Sequence, residues 1–204
     1  MTAAVELFAE QGVAGTALAE IAKRAGVTSA MVHYYFQTKQ QLLNAVAKEK
    51  IGGEFLAPLG KLFSEGRAEP QALATRVVCE IIAATDRLPW LPQLWVREVA
   101  SKGGALRRGM IQRARLEQIE KFSAFVSSAQ KEGKLNAELH PVFLFMSLVA
   151  LTLAPLAIFN EWPRLPGGAQ LTKGDLERHV IALLLGGLAP KAGSKQRSAG
   201  GRKK

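Results

Sequence analysis

Cysteine is almost absent from the 204 residues. The single Cys79 excludes a disulfide framework within the chain and any cysteine-cluster zinc site. It sits in an apolar helical pattern, which reads as a buried, inert thiol. Histidine is nearly as scarce: His33, His140 and His179 are scattered, and none has a second ligand at metal-binding spacing. There is no G-x-S-x-G elbow and no phosphate-cradling glycine loop. The glycine pairs at 52–53, 103–104, 167–168, 186–187 and 200–201 fall at the ends of helical patterns or in the tail, where turns account for them. No catalytic residue, metal ligand or cofactor is therefore assigned, and the expectation is a protein that is not an enzyme. No basic leader with a cleavage site opens the chain, so the expected location is cytoplasmic. Only one long charge-free run occurs, residues 142–159, at the threshold length for a membrane span. Pro155 interrupts it, so a helix buried on two sides is expected, with no membrane partner.

Basic charge is in excess, but unevenly. Residues 1–50 carry a net charge of +1, residues 51–190 carry +3, and the last fourteen, KAGSKQRSAGGRKK, carry +6 of the total +10. That Gly/Ser/Lys tail is too polar to fold alone, and residues 191–204 are expected to be disordered. With 48% hydrophobic residues the remainder is globular and long enough for a substantial core. Arg107, Arg108, Arg113 and Arg115 form a second basic run, expected as a solvated helix face.

What the sequence does contain is concentrated between residues 16 and 39, TALAEIAKRAGVTSAMVHYYFQTK. Ile21, Ala22 and Ala25 recur at helical spacing behind Thr16, a natural N-cap. Gly26 follows, where a left-handed turn is needed. Thr28 caps a second helix whose inward face is Met31, Val32 and Phe36, with Tyr35 also assigned to the core. Thr38 and Gln41 have the spacing of a capping box that starts the next helix. Small Ala22, Gly26 and Val32 allow two helices to cross closely, as in a helix-turn-helix spanning about 17–36. Such a unit presents the N-terminal end of its second helix to the major groove.

The longer run AVELFAEQGVAGTALAEIAKRAGVTSAMVHYYFQTKQQLL resembles the N-terminal domain of the TetR family of bacterial transcriptional regulators. The likeness rests on LFAEQG, GT, IAKRAGV, the aromatic YYF and the following Lys. Relatives usually carry another helical turn before this point, often basic, which is missing here. The resemblance implies an all-α protein: a three-helix helix-turn-helix domain over residues 1–50 and a larger helical effector-binding and dimerisation domain over 51–190. It implies a repressor of double-stranded operator DNA, released by a small-molecule effector. The DNA-binding residues expected are Thr16, Thr28, Ser29, Ala30, His33, Tyr34 and Lys39. Tyr34 and Lys39 match phosphate-binding positions, whereas Ser29 and His33 can bond base edges and Ala30 can touch a thymine methyl.

Beyond residue 50 the helical pattern continues. Gly52 and Gly53 interrupt a connector along which an effector would move the recognition helix. Pro70 opens a helix striped by Leu73, Val77 and Ile81. A proline-broken, tryptophan-bearing helix follows, and a long one is expected from residue 106 to 131. The effector is expected among Trp90, Trp95, Met110, Phe122, Phe125, Phe143 and Met146, with Arg97 or Glu98 as polar anchors. A homodimer is expected through the last two apolar helices, the second started by Thr172 with Asp175. Two other readings stay open: a dimeric helix-turn-helix protein that binds DNA without an effector, and a membrane-attached regulator. Removing residues 191–204 should weaken binding to every duplex and flatten its salt dependence, leaving the preference for operator intact. Titrations at several salt concentrations check this.

Overall fold

The computed structural model describes residues 1–63, 69–101, 104–106 and 116–189. Met110, the arginines at 107, 108, 113 and 115, and the tail at 191–204 lie outside them. Among the described residues the chain is helical throughout and contains no strand. No helix among them is long and apolar enough to cross a membrane.

Three short helices build the N-terminal unit: α1 (Thr2–Gly15), α2 (Leu18–Arg24) and α3 (Ser29–Phe36). Val5, Leu7 and Phe8 of α1 are fully buried and pack with Ile21. Gly26 adopts φ 68, the left-handed turn that a side chain would oppose, and the Val27 amide donates back to the Ala22 carbonyl. The hydroxyl of Thr28 accepts from the Met31 amide and starts α3. Thr38 accepts likewise from the Gln41 amide and starts α4 (Lys39–Ala45).

No loop separates this unit from the rest near residue 50. Helix α4 runs straight into an eleven-residue π-helical segment (Val46–Leu56) and then α5 (Ala57–Leu62). Gly52 and Gly53 are therefore inside a continuous rod with a wider winding, not at a break.

Helix α6 (Pro70–Arg87) is the strut of the larger domain. Leu73, Val77, Val78, Ile81 and Ile82 are buried on a broad face, and α9 (Pro141–Ala157) and α10 (Lys173–Leu188) both pack on it. Helix α7 (Leu91–Leu94) leads into a second π-helical segment (Trp95–Ala100). Helix α8 (Leu116–Lys131) packs on α9. Inside α9 the buried hydroxyl of Thr152 is satisfied by the Leu148 carbonyl one turn back. Helix α10 begins with a complete capping box: the Thr172 hydroxyl accepts from the Asp175 amide, and the Asp175 carboxylate accepts from the Thr172 amide at 2.9 Å. Cys79 on α6 is only half-buried; burial first, and Glu177 second, push its thiol above the ordinary value, consistent with low reactivity.

Ile81 is wholly enclosed at the centre of α6. Ile81→Ala should therefore lower stability by about 2–5 kcal/mol. Denaturant unfolding at fixed protomer concentration, with an unchanged slope, is the measurement.

Candidate nucleic-acid interface and ligand cleft

Helix α3 is held to the protein by one narrow edge. Val32 is its only buried residue, and Phe36 is partly buried against the core. Ser29, Ala30 and His33 are exposed along the rest of the helix, and Tyr34 and Tyr35 stand out at 80% and 69% exposure. So large a pair of aromatic rings in water, packed edge to face at 5.3 Å, is a surface waiting for a flat or charged partner. The structure corrects two sequence assignments here. Tyr35 and Met31 face solvent, not the core, because an eight-residue helix supported by two side chains has no room to bury more.

Thr16 is a third correction. It does not cap α2, whose N-cap is Ala17 without a side-chain bond. Its side chain is buried, and its hydroxyl donates to the Gly12 carbonyl at 2.7 Å. That bond braces a break in α1, where Gly12 adopts φ 81. A hydroxyl committed inward cannot serve as a DNA contact. Lys39, by contrast, opens α4 beside α3 and is partly exposed. Of the turn cations, Arg24 is spent internally on both oxygens of Glu10, at 3.0 and 2.9 Å, tying α2 to α1. This guanidinium holds the Glu10 carboxyl below its ordinary range.

The residues expected around an effector are dispersed. Phe122 is buried and Phe125 half-buried beside Leu73, Val77, Leu144 and Leu148, lining an apolar cleft of only about 20 Å³. Phe122 also packs edge-on against Phe63 and Phe145, at 5.2 and 5.5 Å. Trp90 is buried elsewhere, beside Ala9 and Arg97 in a polar cleft between α1 and α7. Trp95 packs partly buried on the core. Phe143 and Met146 leave the pocket altogether: Phe143 is 67% exposed and Met146 is also exposed on the outer face of α9. The physical reason is that α9 is apolar on every side, so its sequence carries no stripe to separate inner from outer residues.

Glu98 is not a free anchor either. It is 5% exposed, and its two oxygens accept from the Val13 amide at 2.8 Å and the Ala105 amide at 2.9 Å. Nothing local in WVREVA signals this, since one donor lies 85 residues away. No group of three or more metal-ligating side chains occurs among the described residues.

Several large apolar side chains of α9 and α10 remain exposed. Phe143, Met146 and Leu151 are exposed on α9, Ile158 just past its end, and Leu183 and Leu185 on α10; Phe143 and Leu183 line one groove. A largely apolar groove of about 600 Å³ is lined by Ala154, Pro155, Ile158, Trp162, Leu171 and Leu176, with Asp175 and His179 at its polar edge.

Known proteins share both the N-terminal unit and the whole helical arrangement. The profile of the family described as bacterial regulatory proteins, tetR family, matches residues 1–46. The HTH-type transcriptional regulator RutR of Escherichia coli K12 is 31% identical over 152 residues, covering 74% of this chain and 69% of RutR. The crystal structure of FadR from Bacillus subtilis in complex with stearoyl-CoA superposes with a TM-score of 0.67 at 21% identity, over 91% of this chain and 96% of FadR. The ketosteroid regulator KstR2 of Mycobacterium tuberculosis gives 0.63 at 18% identity, over 92% of each chain. The two structures share the fold, and the RutR match carries the sequence likeness well past the helix-turn-helix. With the outward-facing α3, this places the chain in the TetR family of bacterial DNA-binding transcriptional regulators.

Proposed function

We propose that the chain is a homodimeric repressor that holds an operator through α3 and lets go when a small lipophilic molecule enters the larger domain. The observation that carries the reading is the exposure of α3, which leaves Ser29, Ala30, His33 and Tyr34 free on a helix braced by two side chains. Two such helices in a symmetric dimer fit half-sites about one helical turn apart. Thr28, Ser29, Ala30 and His33 read base edges at the N-terminal end, while Tyr34 and Lys39 grip phosphates. The dimer forms through the exposed apolar faces of α9 and α10, a surface too large for a monomer to leave in water.

The effector belongs in the cleft beside Phe122 and Phe125. At about 20 Å³ it admits little more than a water, so a ligand must part α8 from α6 and α9 to enter. The wider groove shares Ile158 with the exposed apolar residues, and in this reading the partner subunit covers it. An apolar lining selects a lipophilic guest, and one structural relative was crystallised with stearoyl-CoA.

The test begins by selecting a preferred duplex from a random library with the full-length protein. A near-palindromic site is expected, and failure to enrich any sequence would overturn the repressor reading. Long-chain acyl-CoA and a steroid are then added in turn. Release of the selected duplex with a raised melting temperature is the expected result for at least one. Neither effect with either probe would favour the effector-free alternative.

A further inference from the structure

A buried carboxylate with no catalytic task is unusual enough to need an explanation, and Glu98 has one in its geometry. It sits in the second π-helical segment, on the surface of the larger domain that α1 packs against. Its two oxygens accept hydrogen bonds from opposite sides. One donor is the Val13 amide of the DNA-binding unit; the other is the Ala105 amide of the larger domain. Each donor directly follows a glycine that brings the backbone close. A Cβ on Gly12 would sit 3.3 Å from the Glu98 carboxylate, and one on Gly104 would run into the Glu98 main-chain carbonyl. The Gly12 break frees the Val13 amide from the helical ladder of α1, and the Thr16 hydroxyl fixes that break by holding the Gly12 carbonyl.

We propose that Glu98 is the coupling residue between the two domains: a single carboxylate that ties the α1 break to the 104–106 segment, so that a shift of either is felt by the other. This rests on reading the chain as a ligand-responsive DNA-binding protein. A carboxylate suits the task better than a hydrophobic contact. Its bonds to two amides are charge-assisted and directional, and burial makes either amide costly to leave behind. A displacement too large for those bond lengths therefore breaks the tie abruptly instead of stretching it. Helix α1 meets the larger domain through α7 and two π-helical segments, Val46–Leu56 and Trp95–Ala100. Such windings are uncommon and are frequent at functional sites. Glu98 is a positioning residue in this scheme and touches neither DNA nor effector.

Hydrogen–deuterium exchange on the full-length chain tests it, comparing the native protein with Glu98→Gln. The amide keeps the shape but offers one acceptor in place of two. Exchange at Val13 or Ala105 should quicken about tenfold or more, the loss of one hydrogen bond to a charged group. In the free native protein α1 and α7 should open as one cooperative unit, and in the variant α1 should open by itself. With the library-selected duplex bound, protection at Ala105 should rise in the native chain and stay unchanged in Glu98→Gln. Native exchange rates at both amides, or duplex-induced protection of Ala105 in the variant, would overturn the proposal. If Glu98→Gln does not fold, Glu98→Asp retains the charge with a shorter reach and should release one amide only; unaltered coupling there is equally fatal. A native protein that enriches no duplex would sink the proposed function, while the free-protein exchange still decides the role of Glu98.

Discussion

Replacing Leu183 with Glu should abolish the dimer and, with it, tight operator binding. Leu183 is 52% exposed on the outer face of α10, whereas Leu176, Val180, Leu184 and Leu188 of the same helix are buried. The substitution therefore leaves the core of the single subunit intact. In a dimer built on α9 and α10 it would enclose a carboxylate from each subunit in the interface. Two like charges without partners, each costing about 3–5 kcal/mol, exceed what the remaining apolar contacts can offset. Sedimentation velocity should show a monomer with native circular dichroism, and operator affinity should fall at least a hundredfold as one half-site is lost. A stable, DNA-competent Leu183→Glu dimer would move the interface elsewhere.

The second large effect concerns Tyr34 and Lys39. Tyr34→Phe removes a hydroxyl from a side chain already in solvent, so the fold should not change. If that hydroxyl donates to a phosphate, its loss costs about 1.5–3 kcal/mol per subunit. A dimer uses it twice, so operator affinity should fall by about two to four orders of magnitude. Lys39→Ala should also lower the slope of log affinity against log salt by about two across both subunits. Neither change should alter which bases are preferred. Ser29→Ala and His33→Ala should do the opposite, relaxing preference at particular operator positions. Binding to a panel of operator variants at several salt concentrations distinguishes the two patterns. Even losses from Ser29→Ala and His33→Ala, with altered preference from Tyr34→Phe, would mean that α3 lies in the groove differently.

The N-terminal unit was legible because its signals are local. Thr28 and Thr38 cap their helices as their spacing suggests, and Gly26 takes the left-handed turn. Thr16 fits the same local rule, yet its hydroxyl donates inward to the carbonyl freed at the Gly12 break instead of accepting from an amide of α2. The larger domain was less legible for a different reason. In α9 nearly every residue is apolar, so Phe143 and Leu144 look alike in sequence although one faces out and the other in. Only the neighbours decide, and those are chiefly α6 and α8 on the inner side and the proposed partner on the other. Glu98 had no sequence signal at all, since its two acceptors are matched to backbone amides that any residue type provides.

The capping box at the head of α10 has a consequence for acidity. Hydrogen bonds from the Thr172 hydroxyl and amide, with Arg178 adding to them, hold the Asp175 carboxyl below its ordinary value of 3.8. A carboxylate depressed by folding stabilises the helix start at every pH above that value, and this contribution is lost only as pH falls through the lower folded value. Mild acidification therefore leaves the first turn of α10 intact. The proposed interface helix should fray from this end only in strong acid, and a shift in dimer affinity between pH 5 and 8 would have to originate in another group.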